Sequence, residues 1–168
     1  MQIVSNKPGK PKIGRSIDEL ITDIEEFLGY NEESDAIIIG TGKLGNALLN
    51  YSGFPAQGIN IVAGFDNDPQ KIGKKVNGKM IYDIRNIDFI LPKINAKIAI
   101  ITTPASVAAE VANILVEAGI KAIWNFVPVH LNVNDDVIVE NVDLAASLAF
   151  LSYKMKENFS EVKKRERE

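Results

Sequence analysis

Two hydrophobic patterns alternate along the chain and predict its secondary structure. Short continuous apolar runs predict strands buried on both faces, as in a parallel sheet. These runs lie at residues 36–39, 59–65, 80–82, 97–101, 122–126 and 137–139. Apolar residues that recur every three or four positions predict helices, which lie at residues 17–28, 43–50, 86–92, 105–118 and 144–160. This alternation predicts an α/β fold: a Rossmann-like, doubly wound parallel sheet with an extra N-terminal helix and a C-terminal helix after the last strand.

Capping residues support three of these helices. Ser16 and Glu19 have the spacing of a capping box for the first helix. Thr103 is expected to cap the fourth helix, with Pro104 in its first turn. Asp143 is expected to cap the last helix.

Composition excludes several classes of site. The 168 residues include no cysteine and one histidine, His130, which excludes disulfides, thiolate metal sites and multi-histidine metal sites. No apolar run is long enough to cross a membrane, and the N-terminus has no signal-like apolar core. We therefore expect no metal, no membrane contact and a cytoplasmic location.

Charge and composition divide the chain into three parts. Residues 1–15 carry four basic and no acidic side chains and lack periodicity, which predicts a basic flexible arm or linker. Residues 16–160 form the predicted domain, and residues 161–168 a charged tail. Since the net charge is −3, the chain beyond the arm carries −7. An acidic body of this kind is not expected to bind DNA directly.

A glycine-rich segment follows the first predicted strand and opens a predicted helix. It matches G-x-G-x-x-G in the context that a dinucleotide-binding loop requires. Gly40 would permit a tight turn, Gly42 the close approach of a pyrophosphate, and Gly45 close helix packing. The helix N-terminus would offer free N–H groups to phosphate. The predicted binding residues here are Gly40, Thr41, Gly42, Lys43, Leu44 and Gly45.

An acidic residue, Asp66, ends the second strand 21 residues after Gly45. A carboxylate at this position can accept ribose hydroxyls and repels a 2′-phosphate, so the predicted cofactor is NADH or NAD⁺. Lys71 could offset this charge, but Asp66 and Asp68 are expected to dominate. Asn67 is included in the predicted site.

Polar residues also follow the fourth and fifth strands, where ligands bind in such sheets. Thr102, Thr103 and Pro104 are predicted to face the pyrophosphate or nicotinamide, and capping of the next helix is the alternative. Asn125 and Phe126 are placed similarly, and a buried turn is their alternative.

The sequence lacks the usual proton-transfer residues of a dehydrogenase. His130 lies in a predicted loop, and no tyrosine is followed by a lysine four residues later. We therefore predict that the chain binds NADH or NAD⁺ without catalysing a reaction.

The last predicted helix carries one apolar stripe. It either packs on its own domain or pairs with a second copy in a homodimer. The stripe consists of Leu144, Leu148, Leu151, Met155, Phe159 and Val162.

Four longer segments resemble a known family. They are IGTGKLGNALLNYSGF at 39–54, AGFDNDPQKIG at 63–73, the segment at 102–133 that begins TTPASVAAEV, and VIVENVDLAASLAFLSY at 137–153. The chain resembles the redox-sensing transcriptional repressors of the Rex family over residues 12–155.

This resemblance implies a homodimeric sensor of NADH and NAD⁺ whose last helix is exchanged between subunits. It places Gly40, Gly42 and Gly45 at the pyrophosphate and Asp66 at the ribose. The threonines and proline after the fourth strand would line the nicotinamide half. Asp143 would lie near the dimer interface.

The chain departs from the family pattern at its N-terminus. The family's winged helix precedes this domain, and the arm at 1–15 is too short to form one. We therefore expect a sensor that lacks the DNA-binding domain and acts through protein partners, either a full-length Rex or a redox enzyme.

Two other functions remain open from the sequence. Residues 102–124 also resemble the first domain of sugar dehydrogenases of the Gfo/Idh type, which would make the chain a small NAD-dependent oxidoreductase domain. A coenzyme A-binding Rossmann domain of the succinyl-CoA synthetase type is the other alternative.

Overall fold

The computed structural model describes residues 16–27 and 33–165. The predicted arm at 1–15, the end of the first predicted helix at residue 28 and the last three residues of the predicted tail lie outside the described residues.

A seven-stranded sheet forms the centre of the domain. Its strands are β1 (Ser34–Ile39), β2 (Ile59–Asp66), β3 (Lys75–Val76), β4 (Lys79–Asp83), β5 (Ile98–Ile101), β6 (Ala122–Asn125) and β7 (Ile138–Asn141). The strand order is β3-β4-β2-β1-β5-β6-β7, and all neighbours are parallel except β3 and β4. The six parallel strands have the order of a doubly wound Rossmann-like sheet, which confirms the predicted fold class.

Strand β3 was not predicted because it has only two residues. It pairs with β4 through a tight turn at Asn77 and Gly78, which both have positive φ angles of 49° and 78°. An Asn-Gly pair with this geometry is the commonest signal of a two-residue β-hairpin. The sequence therefore contained the signal for this strand.

Five helices accompany the sheet in the described part of the chain. They are α1 (Ile17–Phe27), α2 (Lys43–Asn50), α3 (Ile87–Ile94), α4 (Ala105–Glu117) and α5 (Leu144–Arg165). Helix α5 continues past the predicted end at residue 160, because no glycine or proline interrupts its charged final turns.

The structure contains two of the three predicted helix caps. At α1, the Glu19 N–H donates to Ser16 Oγ at 3.1 Å, and the Ser16 N–H donates to Glu19 Oε2 at 3.4 Å. At α5, the Ala146 N–H donates to Asp143 Oδ1 at 2.8 Å. The prediction that Thr103 caps α4 is wrong. Pro104 holds the cap position in an extended conformation, so the helix begins one residue too late for the Thr103 hydroxyl to cap it.

Two apolar clusters cover the two faces of the sheet. The larger cluster packs α3 and α4 against one face, and the smaller packs α2 against the other through Leu49. The second face is open towards its β7 edge, where Ile138 is 73% exposed. Helix α5 follows β7 along the chain, and the stripe residues Leu144, Leu148, Leu151 and Met155 are 51–67% exposed.

Candidate functional site

A cavity of about 900 Å³ opens at the carboxyl ends of the parallel strands. It is lined by the residues that follow β1, β2, β4 and β5. The chain runs from β1 to β2 on one side and later to β5 on the other, so a crevice forms between them. Ligands of open α/β sheets bind at such a switch point.

The loop after β1 is held in a shape that requires glycine at its first position. Gly40 has a φ of +87°, and a Cβ built there would lie 3.0 Å from the Thr102 carbonyl oxygen and from Thr103 Cγ2. The Thr102 hydroxyl donates to the Gly40 carbonyl at 2.6 Å. Thr102 therefore supports the loop as well as lining the cavity.

The two later glycines differ in their surroundings. A Cβ at Gly45 would overlap the Gly40 carbonyl oxygen, so glycine there allows α2 to pack against the loop. A Cβ at Gly42 would meet no atom within 4 Å, and Gly42 lines the cavity. No side chain caps the N-terminus of α2, which begins after Gly42. The first N–H groups of a helix have no partner within the helix. At the start of α2 a Cβ at Gly42 would occupy open space, which we call the glycine cradle.

Asp66 lies at the end of β2 with its carboxylate 7% exposed. Its Oδ2 atom accepts from the Thr41 N–H at 2.8 Å, from the Thr41 hydroxyl at 2.7 Å and from Lys71 Nζ at 3.0 Å. Its Oδ1 atom accepts from the Asp68 N–H at 3.0 Å.

These contacts keep the carboxylate ionised. Burial alone raises the pKa of Asp66, but the hydrogen bonds from Thr41, Asp68 and Lys71 together lower it to about 2. Asp66 is therefore a fixed negative acceptor at the rim of the cavity.

Thr103 provides a second sign that the cavity accepts a polar ligand. It lines the cavity, and its Oγ1 atom is buried without a hydrogen-bond partner. A buried hydroxyl without a partner costs free energy, which a bound ligand would recover. The unpartnered Thr103 hydroxyl and the open space at Gly42 both fit a dinucleotide.

The cavity brings together seven of the thirteen predicted site residues. They are Gly40, Gly42, Asp66, Asn67, Thr102, Thr103 and Pro104. Thr41 and Gly45 are buried behind them and support the loop. Lys43 and Leu44 lie in the exposed first turn of α2 and do not line the cavity.

Asn125 and Phe126 do not line the cavity either, and their assignment to the ligand site stays a prediction. Asn125 is fully buried, and its amide group donates to the carbonyls of Val127 and Val129 and to Asn141 Oδ1. Phe126 packs against Trp124 with ring centroids 4.4 Å apart. Both residues stabilise the turn after β6, the alternative that the sequence left open.

Sequence reasoning missed the part of the cavity between α3 and α4. Its walls are mainly apolar and suit a flat ring. The additional lining residues there are Ile84, Arg85, Ile87, Asp88, Val107, Glu110, Val111 and Ile114. Val107, Val111 and Ile114 recur at spacings of four and three along α4. That spacing is equally typical of core residues, so it did not identify a cavity wall.

The comparisons with known proteins identify the family. Residues 31–129 match the family model for the CoA binding domain. The redox-sensing transcriptional repressor Rex of Treponema denticola is 44% identical over 147 residues, which cover 88% of this chain and 70% of that protein. Rex of Caldicellulosiruptor saccharolyticus is 42% identical over 153 residues, covering 91% of this chain and 70% of that protein. The chain belongs to the Rex family.

Solved Rex structures have the same fold. RSP, a Rex-family repressor, matches with a TM-score of 0.81 and 37% identity over 91% of this chain and 74% of RSP. RSP in complex with β-NADH matches with a TM-score of 0.81 and 38% identity over 89% of this chain and 73% of that one. RSP in complex with β-NAD⁺ and operator DNA matches with a TM-score of 0.81 and 38% identity over 92% of this chain and 72% of that one. These matches confirm the predicted family and the predicted fold.

Within residues 16–27 and 33–165, no helix combines the length and hydropathy needed to cross a bilayer. The same residues contain no cluster of three or more histidine, aspartate or glutamate side chains arranged to hold a metal ion.

Proposed function

We propose that this Rex-family domain binds NADH and NAD⁺ in the cavity and reports their ratio without catalysing a reaction. The observation that carries the proposal is that the buried Asp66 carboxylate, whose pKa is lowered to about 2, and the open space at Gly42 line the same cavity. The related RSP structures in complex with β-NADH and with β-NAD⁺ support the choice of ligand.

Each part of the dinucleotide has a matching surface. The free N–H groups at the start of α2 would bind the pyrophosphate, with Gly42 leaving room for it. Asp66 would accept a ribose hydroxyl through Oδ1. The apolar slot beside Val107 and Val111 would hold the adenine ring. Thr103 would donate its free hydroxyl in the nicotinamide half.

The lining supports binding rather than hydride-transfer catalysis. It contains no histidine, tyrosine or cysteine, and Lys71 is already paired with Asp66. Arg85 is paired with Asp83 in the same way. A dehydrogenase needs a group that exchanges a proton with its substrate. The cavity lining offers no histidine or tyrosine for that role.

Redox sensing requires that two conformations bind the two cofactor forms unequally. NAD⁺ carries a positive charge on its nicotinamide ring, whereas the NADH ring is neutral. Apolar surroundings of the nicotinamide ring favour NADH, because the neutral ring costs less to remove from water than the charged ring of NAD⁺. The output is a shift in the population of the two conformations.

We also propose that the domain acts as a homodimer through α5 and passes its signal to protein partners such as a full-length Rex or a redox enzyme. Four residues of the stripe on α5 are exposed in the single chain, as is Ile138 on β7; the four are Leu144, Leu148, Leu151 and Met155. Two apolar surfaces side by side become buried when the helix of a second copy covers the sheet.

Fluorescence titration with NADH tests the ligand and the site together. A Gly42→Ala variant fills the cradle while meeting no protein atom, so we expect a folded protein with NADH affinity lowered by about tenfold or more. Ser106→Ala, on α4 outside the cavity, is the matched control and should bind like the wild type.

Competition with coenzyme A separates the proposal from the alternative ligand. CoA carries a phosphate on its adenosine ribose, which Asp66 should repel. We therefore expect CoA not to displace NADH. Tight CoA binding without NADH binding would contradict the proposal.

A further inference from the structure

The turn between β3 and β4 places an asparagine before a glycine at one edge of the sheet. Asn77 and Gly78 are both exposed, and a Cβ built at Gly78 would meet no atom within 4 Å. Within the described part of the chain, the Gly78 N–H donates no backbone hydrogen bond. The peptide nitrogen that follows Asn77 is therefore unobstructed.

The same turn holds the C-terminal end of α2. Asn77 Nδ2 lies 3.4 Å from the Leu49 carbonyl oxygen, and Lys79 Nζ lies 2.8 Å from the same atom. Leu49 belongs to the last turn of α2, where carbonyl groups lack partners within the helix and carry partial negative charge. The hairpin therefore donates two hydrogen bonds to the helix that begins at the glycine cradle.

We infer that Asn77 is a site of spontaneous deamidation and that the reaction weakens the attachment of α2 to the hairpin. Asparagine before glycine is open to attack by the next peptide nitrogen, because glycine has no side chain that hinders ring closure. Strand β3 has only two residues, so the hairpin opens locally at low cost and the Asn77 side chain can rotate into position.

The reaction needs water as its only co-reactant. The Gly78 peptide nitrogen loses its proton and bonds to Asn77 Cγ, the Cγ–Nδ2 bond breaks, and ammonia leaves with that proton. Water then opens the cyclic imide. Attack at Cγ gives aspartate, whereas attack at the main-chain carbonyl carbon of residue 77 gives isoaspartate, in which the main chain runs through the former side chain.

Both products remove a support of α2. The amide that donates to the Leu49 carbonyl becomes a carboxylate, which accepts hydrogen bonds only and is repelled by the negative end of the helix dipole. Isoaspartate also lengthens the main chain of a two-residue turn, so the register of β3 with β4 is lost. The Lys79 contact to α2 is disturbed together with this pairing.

Asn95 is a control within the same chain. It is exposed and has a φ of 48°, against 49° at Asn77, but the next residue, Ala96, is only 1% exposed. Ring closure at Asn95 must therefore move a buried residue. After incubation at mildly alkaline pH, peptide mass spectrometry should find isoaspartate forming at Asn77 at least about tenfold faster than at Asn95. Equal rates at the two sites, or no isoaspartate at Asn77, would overturn the inference.

Asn77→Gly is the matched variant, because Gly-Gly also favours a two-residue hairpin. The incubated wild-type protein is separated by anion exchange, and its more acidic fraction is compared with fresh protein. We expect that fraction to melt about 2–4 °C lower and to exchange amide hydrogens faster in the last turn of α2. The incubated variant should show neither change. A wild-type acidic fraction with unchanged melting and exchange, or the same changes in the variant, would contradict the coupling of Asn77 to α2.

Discussion

The cleft around the phosphate loop and the C-terminal helix α5 differ in how they relate to the rest of the chain. In the cleft, Gly40, Gly45 and Asp66 are fixed by contacts within a single copy of the chain. On α5, the stripe residues Leu144, Leu148, Leu151 and Met155 are exposed. The candidate site is therefore formed by contacts within one chain, whereas the proposed dimer would cover the exposed apolar residues of the helix. Substitutions in the two regions should accordingly affect different properties.

The largest expected effect is on stability, from Gly45→Val in the cleft. The added side chain overlaps the Gly40 carbonyl, which is backbone and cannot move away without moving β1. We expect a loss of about 3 kcal/mol in the free energy of unfolding, measured by urea denaturation. Gly42→Ala is the matched control and should cost less than about 1 kcal/mol. Equal losses at both glycines would contradict the packing role of Gly45.

The next largest expected effect is on association of two chains through α5, and the fold should remain intact. Leu148→Asp together with Leu151→Asp places two charges in the exposed stripe of α5. We expect dimer affinity to fall at least about 100-fold, or about 3 kcal/mol, in sedimentation equilibrium, with an unchanged circular dichroism spectrum. Ala149→Asp, exposed on another side of the helix, is the control and should remain dimeric. A wild-type protein that is monomeric at all concentrations would refute the proposed dimer.

Asn125→Ala should lower stability without changing NADH affinity. The substitution removes the amide that joins Val127, Val129 and Asn141, and it leaves the Val127 N–H without its acceptor. The expected cost is about 2 kcal/mol in urea denaturation. If NADH affinity falls instead in a protein of wild-type stability, Asn125 belongs to the ligand site after all.

The smallest effect is a pH dependence that comes from Asp66. Its pKa is about 2 in the folded chain against 3.8 for a free aspartate, so ionisation stabilises the fold above pH 4 by about 2 kcal/mol. That stabilisation is lost as the pH falls from about 4 to 2, and about half of it is gone at pH 3. The difference in unfolding free energy between wild type and Asp66→Asn should therefore shrink between pH 6 and pH 3. A constant difference would show that Asp66 is not held ionised.

The sequence predicted best what depends on local pattern. Hydrophobic spacing predicts the order of elements. Residue types with strong conformational preferences predict the capping box at Ser16 and the cradle at Gly42. Strand β3, before the turn at Asn77 and Gly78, was missed because two residues are too few to show periodicity.

The positions of Asn125 and Phe126 depend on side-chain direction instead. Asn125 ends β6 at the edge of the sheet where Thr102 follows β5, but its amide donates to the carbonyls of the loop that follows. The apolar slot on α4 has the same spacing as a buried core stripe. That Val107 lines a cavity is seen only in the fold, where Val107 and Ile84 belong to the same cavity lining.

Calorimetric titration with NADH and NAD⁺ at matched salt tests the central claim, that this cavity discriminates the two redox forms. The account predicts NADH binding that is tighter than NAD⁺ binding by at least about tenfold, or about 1.4 kcal/mol. Equal affinity for the two forms, or no binding of either, would contradict it.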